Sequence, residues 1–173
     1  MKTALITGAS SGIGETFAQE LAARNTNLVL VARSEDKLHK LANQLQNQYK
    51  IQTDVIVQDL TAPAAAKTLF ETVTQKQLII DLLVNNAGFG DYGAFAQRPL
   101  EKQVNMIQLN ITALVELTHL FLPGMQQRQS GAIINVSSEN IGRIKKTKIK
   151  DIGFDFSSDN TVRPSTSLPI IIS

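Results

Sequence analysis

The chain has 173 residues, of which 43% are hydrophobic and 18% charged, with a formal net charge of +2. This length fits one domain with a sizeable core, and the composition excludes global disorder. Near-neutral charge argues against a general polyanion binder, and the absence of cysteine excludes disulfides, cysteine zinc sites and a thiol nucleophile.

Residues 3–7 are a short apolar, β-branched run closed by a glycine-rich turn, which predicts a buried strand. A helix is expected over about 12–24, where Ile13, Phe17, Leu21 and Ala22 form a stripe near helical period. Asn25 and Asn27 stop it. Residues 27–32 are apolar almost throughout and predict a strand covered on both faces. Ser34 can cap a second helix to about residue 48, and 53–58 read as a third strand. Thr61 with Pro63 opens a third helix, to about residue 75. A fourth strand is expected over 79–85, followed by a loop containing Gly88, Gly90 and Gly93. A long helix over roughly 100–127 and a fifth strand over 132–136 complete the pattern. In the long helix the stripe Val104, Ile107, Ile111, Leu114 and Val115 predicts the buried face, with Asn110 beside it.

Alternating strands and helices with short connections imply right-handed crossovers and a parallel sheet covered on both sides. The expected class is α/β, a Rossmann-like doubly wound parallel sheet that breaks off after its fifth strand. In such a sheet, ligands bind beyond the carboxyl ends of the strands.

The turn Thr7-Gly8-Ala9-Ser10-Ser11-Gly12-Ile13-Gly14 lies at one of those ends. Gly8 permits the tight turn, Gly12 lets a pyrophosphate approach the backbone, and Gly14 lets the helix pack closely on the strand. A bare glycine–serine connector has the same composition. Its position between a strand and an amphipathic helix favours dinucleotide binding. At the end of the second strand, where an acid usually holds the ribose hydroxyls, the chain has Ala32 followed by Arg33. An acid there repels a 2′-phosphate, and a guanidinium can grip one. NADP(H) is therefore the expected cofactor, the alternative being that Arg33 is a solvent-facing loop charge.

The spacing of Gly8, Gly12 and Gly14 resembles that of the short-chain dehydrogenase/reductases, and the resemblance continues in order to Ser138. Asp59-Leu60 is similar to the family's adenine-binding pair. Asn85-Asn86-Ala87-Gly88 is similar to its Asn-Asn-Ala-Gly motif, which lines the cofactor. Asn110 matches the catalytic-site asparagine. Ile133-Ile134-Asn135-Val136-Ser137-Ser138 matches the strand ending at the catalytic serine, with Ser138 the better match. Gly88-Phe89-Gly90 with Gly93 and Phe95 resembles a branch of broad carbonyl reductases. The resemblance implies hydride transfer between NADP(H) and a small-molecule carbonyl or alcohol, without a metal. In that chemistry Ser138 polarises the substrate oxygen, while Asn110 bends its helix and holds a relay water. As plain residues, Ser137 and Ser138 could simply cap a following helix.

The family's Tyr-x-x-x-Lys is expected near positions 151 and 155, which are Asp151 and Asp155. The only tyrosines are Tyr49 and Tyr92, both before Ser138. Composition breaks at the same place. Residues 1–138 balance 11 Lys+Arg against 11 Asp+Glu and contain 16 Ala and 18 Leu. Residues 139–173 hold 6 basic and 4 acidic residues, no Ala, and only Leu168 among leucines. The expected organisation is a 1–138 NADP-binding domain and a 139–173 divergent tail. A frameshift, premature end or gene-model error after Ser138 accounts for both breaks. Within the tail the run Lys145-Lys146-Thr147-Lys148-Ile149-Lys150 reads as a solvated stretch rather than a nucleic-acid or lipid site. Residues 168–172 are a short apolar segment able to pair as a strand.

Three functions follow as expectations. One is an NADP(H)-dependent oxidoreductase by descent, inactive or impaired without the tyrosine and lysine. Another is a non-catalytic dinucleotide-binding protein. The third is a non-functional fragment. Neither nucleic acid nor a membrane is an expected partner, and a homo-oligomer is compatible with the pattern. No apolar run reaches the roughly 20 residues of a membrane helix, and the opening seven residues do not form a signal peptide, so a cytoplasmic setting is expected.

Overall fold

The computed structural model describes residues 1–91, 93–137 and 170–172. Strand β1 (Thr3–Thr7) leads into helix α1 (Gly12–Ala23). β2 (Asn27–Ala32), α2 (Glu35–Tyr49), β3 (Thr53–Val57) and α3 (Ala65–Gln75) follow. β4 (Leu82–Asn85) precedes a short 3₁₀ turn, Phe95–Gln97. The long helix comprises α4 (Leu100–Ile107), a π-helical segment (Gln108–Thr112) and α5 (Ala113–Gln127). β5 (Ala132–Asn135) and the short β6 (Ile170–Ile172) complete the sheet, whose order is β3-β2-β1-β4-β5-β6. All pairings are parallel. The expected alternation and doubly wound α/β class are therefore present, and β6 lies outside β5.

Alternation along each strand divides the core in two. Ala4 and Ile6 of β1, with Leu28 and Leu30 of β2, pack against Phe17, Leu21, Leu38, Leu41 and Leu45 of α1 and α2. Leu5, Val29, Val31, Leu83 and Ile133 face the other way, onto Leu69 and Val73 of α3 and Leu117, Phe121 and Met125 of α5. Phe70 and Phe121 meet edge to face at 5.1 Å, joining α3 to α5. Full burial of one such leucine contributes roughly 1.5–3 kcal/mol. Covering both faces explains why these strands are apolar throughout rather than alternating with polar residues.

Three expectations need correction. The third helix does not begin at Thr61 but at Ala65. Asp59 Oδ1 instead accepts from the Thr61 N–H at 2.9 Å and its hydroxyl at 2.7 Å, holding a turn before the helix. The fourth strand is shorter than 79–85 and starts at Leu82. The buried face of the long helix is Ala113, Leu117, Phe121 and Met125. Val104, Ile107, Ile111 and Val115 are each more than half exposed, and Asn110 is exposed with them. The helix has two apolar faces, and the π-helical segment shifts the phase between them. Periodicity alone cannot tell which face meets the sheet. By length and mean hydropathy Leu100–Gln127 could cross a membrane, yet its α5 half docks Leu117 and Met125 on the sheet.

Candidate functional site

Parallel register brings Thr7, Ala32, Val57, Asn85 and Asn135 to one end of the sheet. At its centre stands Thr7, 1% exposed. Its hydroxyl donates to the Val84 carbonyl at 3.3 Å and accepts from the N–H groups of Asn86 and Ala87, each at 3.0 Å. One donor and two acceptor sites are thus all used. Asn86 Nδ2 donates in return to the carbonyls of Thr7 (3.0 Å) and Gly8 (3.3 Å). The loop after β4 is therefore stitched to the glycine turn after β1.

That stitching explains two of the glycines. A Cβ on Gly8 would lie 2.9 Å from Ala87 Cα and Asn86 Nδ2, and φ is +66°. A Cβ on Gly14 would collide with the Gly8 carbonyl and come within 2.6 Å of Asn86 Nδ2. Gly12 is different. Its φ is +60°, yet a Cβ would meet nothing within 4 Å among the described residues. The space above Gly12, beside exposed Ser11 and half-buried Ser10 and Ile13, is open. Ser11 precedes the first turn of α1 in an extended conformation and makes no side-chain cap there. First-turn N–H groups with a dipole behind them and open space in front suit an anionic group such as a pyrophosphate.

Arg33 and Asp59 lie at the ends of the adjacent strands β2 and β3. Arg33 is 72% exposed, and its Nη1 is 4.0 Å from Asp59 Oδ2. Burial works to raise the Asp59 pKa. Hydrogen bonds from the Thr61 backbone and hydroxyl, with the Arg33 charge, outweigh it and hold the carboxyl below its ordinary range. Leu60 beside it is buried, 5% exposed.

On the other side of Thr7, register pairs Asn85 with Asn135. Asn85 Nδ2 donates to Asn135 Oδ1 at 2.9 Å and to the Thr118 hydroxyl of α5 at 3.1 Å. These contacts tie β4, β5 and the helix together. Asn85 Oδ1 is buried without a hydrogen-bond partner among the described residues.

Asn110 lies in the π-helical segment. Its Oδ1 accepts from the Phe89 N–H at 3.1 Å, and its Nδ2 donates to the Phe89 carbonyl at 2.9 Å. An asparagine that pairs with both backbone groups of another residue acts as a short piece of strand. It fixes the loop after β4 against the helix where the helical ladder is irregular.

The structure thus gathers Gly8, Ser10, Ser11, Gly12, Ile13, Gly14, Asn85, Asn86 and Ala87 around the strand ends, with Arg33, Asp59 and Leu60 at the β2–β3 end. Asn110 borders the same rim. Ser138, Tyr92, the lysine run and positions 151 and 155 lie outside the described residues. Three contributors had no assigned role in the sequence reading: Thr7, Asn135 and Thr118. A polar residue closing an apolar strand is a signal for the first two, because buried polar groups must find partners. Thr118 left no such signal.

The short chain dehydrogenase family model matches residues 2–147. The chain is 37% identical over 139 residues to the Homo sapiens protein named inactive hydroxysteroid dehydrogenase-like protein 1, covering 78% of this chain and 41% of that protein. It is 38% identical over 145 residues to a very-long-chain 3-oxoacyl-CoA reductase of Danio rerio, covering 79% and 44%. Among solved structures it resembles a short-chain dehydrogenase from Sphingobium yanoikuyae in complex with NADPH. That match has a TM-score of 0.76 at 39% identity, over 80% of this chain and 54% of the other. A bulky-bulky ketone specific alcohol dehydrogenase from Comamonas testosteroni matches at TM-score 0.75 and 40% identity, over 80% and 55%. The chain thus spans about two fifths of the length of these curated relatives.

Proposed function

The chain belongs to the short-chain dehydrogenase family, and on that premise we propose that residues 1–138 form an NADP(H)-binding domain of a carbonyl/alcohol oxidoreductase. The observation that carries this reading is the open space over Gly12, set against the close contacts at Gly8 and Gly14. One glycine leaves room for a ligand and two leave none for a side chain.

In this reading the pyrophosphate rests on the N–H groups of Ser11, Gly12 and Ile13, with the Ser10 and Ser11 hydroxyls beside it. Arg33 takes the 2′-phosphate. Asp59 and Leu60 border the adenine, Asn86 and Ala87 line the nicotinamide side, and buried Asn85 holds that segment in place through Asn135 and Thr118. Bound there, the cofactor supplies the hydride. Asn110 and Ser138 occupy the catalytic-site positions, where Ser138 polarises the oxygen of a small carbonyl or alcohol substrate. Asn110 holds the rim of the site through Phe89.

The reading includes impaired turnover. Asp151 and Asp155 stand at the spacing of the tyrosine and lysine, and an aspartate cannot serve as the phenol because its pKa and reach differ. This favours, as a second reading, a dinucleotide-binding protein without catalysis. Residues 139–173 are then a divergent tail. A fluorescence titration with NADPH and NADH tests both readings. Saturable NADPH binding at least about tenfold tighter than NADH, reversed by Arg33→Asp, is the expected result. Equal affinities would refute the NADP assignment, and the absence of saturable binding would refute both readings. NADPH-dependent turnover of an aldehyde panel, abolished by Ser138→Ala, would overturn the impairment.

A further inference from the structure

The loop between β4 and the long helix contains a largely buried cation whose hydrogen bonding is incomplete among the described residues. The Arg98 side chain is 12% exposed, and its Nη1 pairs with Asp91 Oδ2 at 3.0 Å. Lys102 Nζ lies 2.9 Å from Oδ1 of the same carboxylate. Among the described residues one carboxylate therefore pairs with two cations. On the opposite edge of the guanidinium, Nε and Nη2 are both buried and have no partner among the described residues.

Gly93 covers that edge. A Cβ built on it would lie 3.0 Å from Nη2 and 3.2 Å from Nε. Its φ of +131° belongs to a region that glycine adopts readily and other residues rarely do. Gly93 thus sets no side chain against the fork, and the two N–H groups of that edge have no acceptor among the described residues. A buried charged donor without an acceptor is costly, so the arrangement favours any group that can fill the edge. Parallel N–H groups on one guanidinium edge match the paired oxygens of a carboxylate or a phosphate.

We propose that the Nε/Nη2 edge of Arg98, roofed by Gly93, is a binding site for the oxyanion group of a small molecule, a carboxylate or a phosphate. The oxyanion displaces the Gly93 backbone and takes both donors, and Asp91 keeps the far side of the guanidinium in place. Two cations sharing the Asp91 carboxylate favour the approach of an anion. Because Phe89 of the same loop is held by Asn110, the bound group sits on the segment that borders the strand-end site. The proposal does not depend on cofactor binding.

The test is thermal unfolding and calorimetric titration of the full chain with acetate and with inorganic phosphate. Each is compared with chloride at equal ionic strength, in the wild type, Arg98→Gln and Arg98→Lys. Saturable stabilisation of the wild type is expected, weakened at least about tenfold in Arg98→Gln and less in Arg98→Lys, which keeps the charge without the fork. Stabilisation by acetate alone assigns a carboxylate ligand, and stabilisation by phosphate alone a phosphate ligand. Phosphate also suits the N-terminus of α1, so dependence on Arg98 is the deciding readout. No effect beyond chloride in the wild type, or an unchanged titration in Arg98→Gln, would overturn the proposal. Should Arg98→Gln not fold, the ¹⁵Nε resonance of wild-type Arg98 decides: a saturable shift with anion supports the site, and an unmoved resonance refutes it.

Discussion

Two glycine-bearing connections border the strand ends, and they are built on opposite lines. In the turn between β1 and α1, Gly8 and Gly14 are pressed against Asn86, Ala87 and each other, and every hydrogen-bonding capacity of Thr7 is used. In the loop between β4 and the long helix, Gly93 rests on a guanidinium edge that has no acceptor among the described residues, and the neighbouring Phe95 and Leu100 are largely exposed. The first connection is over-determined because the register of β1 against β4 holds both of its sides. Among the described residues the second is held by an ion cluster, by Asn110 on Phe89 and by the Gln103 amide on the Phe95 carbonyl. Strand pairing fixes the first connection, whereas in the second the Nε/Nη2 edge of Arg98 has no partner among the described residues.

The contrast can be broken most severely at Gly14. Gly14→Val drives a branched side chain into the Gly8 carbonyl and Asn86, and should cost about 3 kcal/mol or more. A large fall in the urea midpoint, with loss of any dinucleotide binding, is the expected outcome; a midpoint near wild type would mean that the turn is loose. Thr7→Val keeps the shape but strands the N–H groups of Asn86 and Ala87, at a cost of about 2 kcal/mol. Chemical denaturation measures it, and a loss within error would mean that water replaces the hydroxyl.

On the less supported side the effects should be smaller. Asn110→Ala removes two hydrogen bonds at an exposed site and should cost about 1 kcal/mol. Faster amide exchange at Phe89, with little change in the sheet, is the specific readout; uniform destabilisation would contradict this division. The smallest effect is at Asp59. Its folded pKa lies below the ordinary value of 3.8, so its stabilisation is complete above about pH 4 and is lost as pH falls through the folded value. Asp59→Asn should flatten that acid limb, and only slightly, because the side chain is 45% exposed and screened. Identical acid unfolding curves for the two proteins would remove the role assigned to the Thr61 bonds.

Most of the framework was legible in the chain, since strand and helix periods, turn glycines and cap residues are local signals. The Asn85–Asn86–Ala87 segment and the turn from Thr7 to Gly14 could be picked out, but not the bonds by which Thr7 joins them. Those bonds link residues 77 to 80 positions apart and exist only once β1 and β4 pair. The long helix misled for a similar reason. Its stripe of Val104, Ile107, Ile111 and Val115 is as periodic as the face that docks, and only the sheet selects between them.

The sequence by itself determined the alternating α/β order, the position of the glycine turn and the cation at the end of β2. Each depends on neighbours within a few residues along the chain. Tertiary structure alone decided that Thr7 is the hub of the strand ends, that Asn85 bonds Asn135 and Thr118, and that Arg98 is largely buried with one edge unpartnered among the described residues. Those outcomes depend on which groups lose water together when distant segments meet. Local patterning cannot encode that partnership, because hydrogen-bond satisfaction belongs to the assembled site.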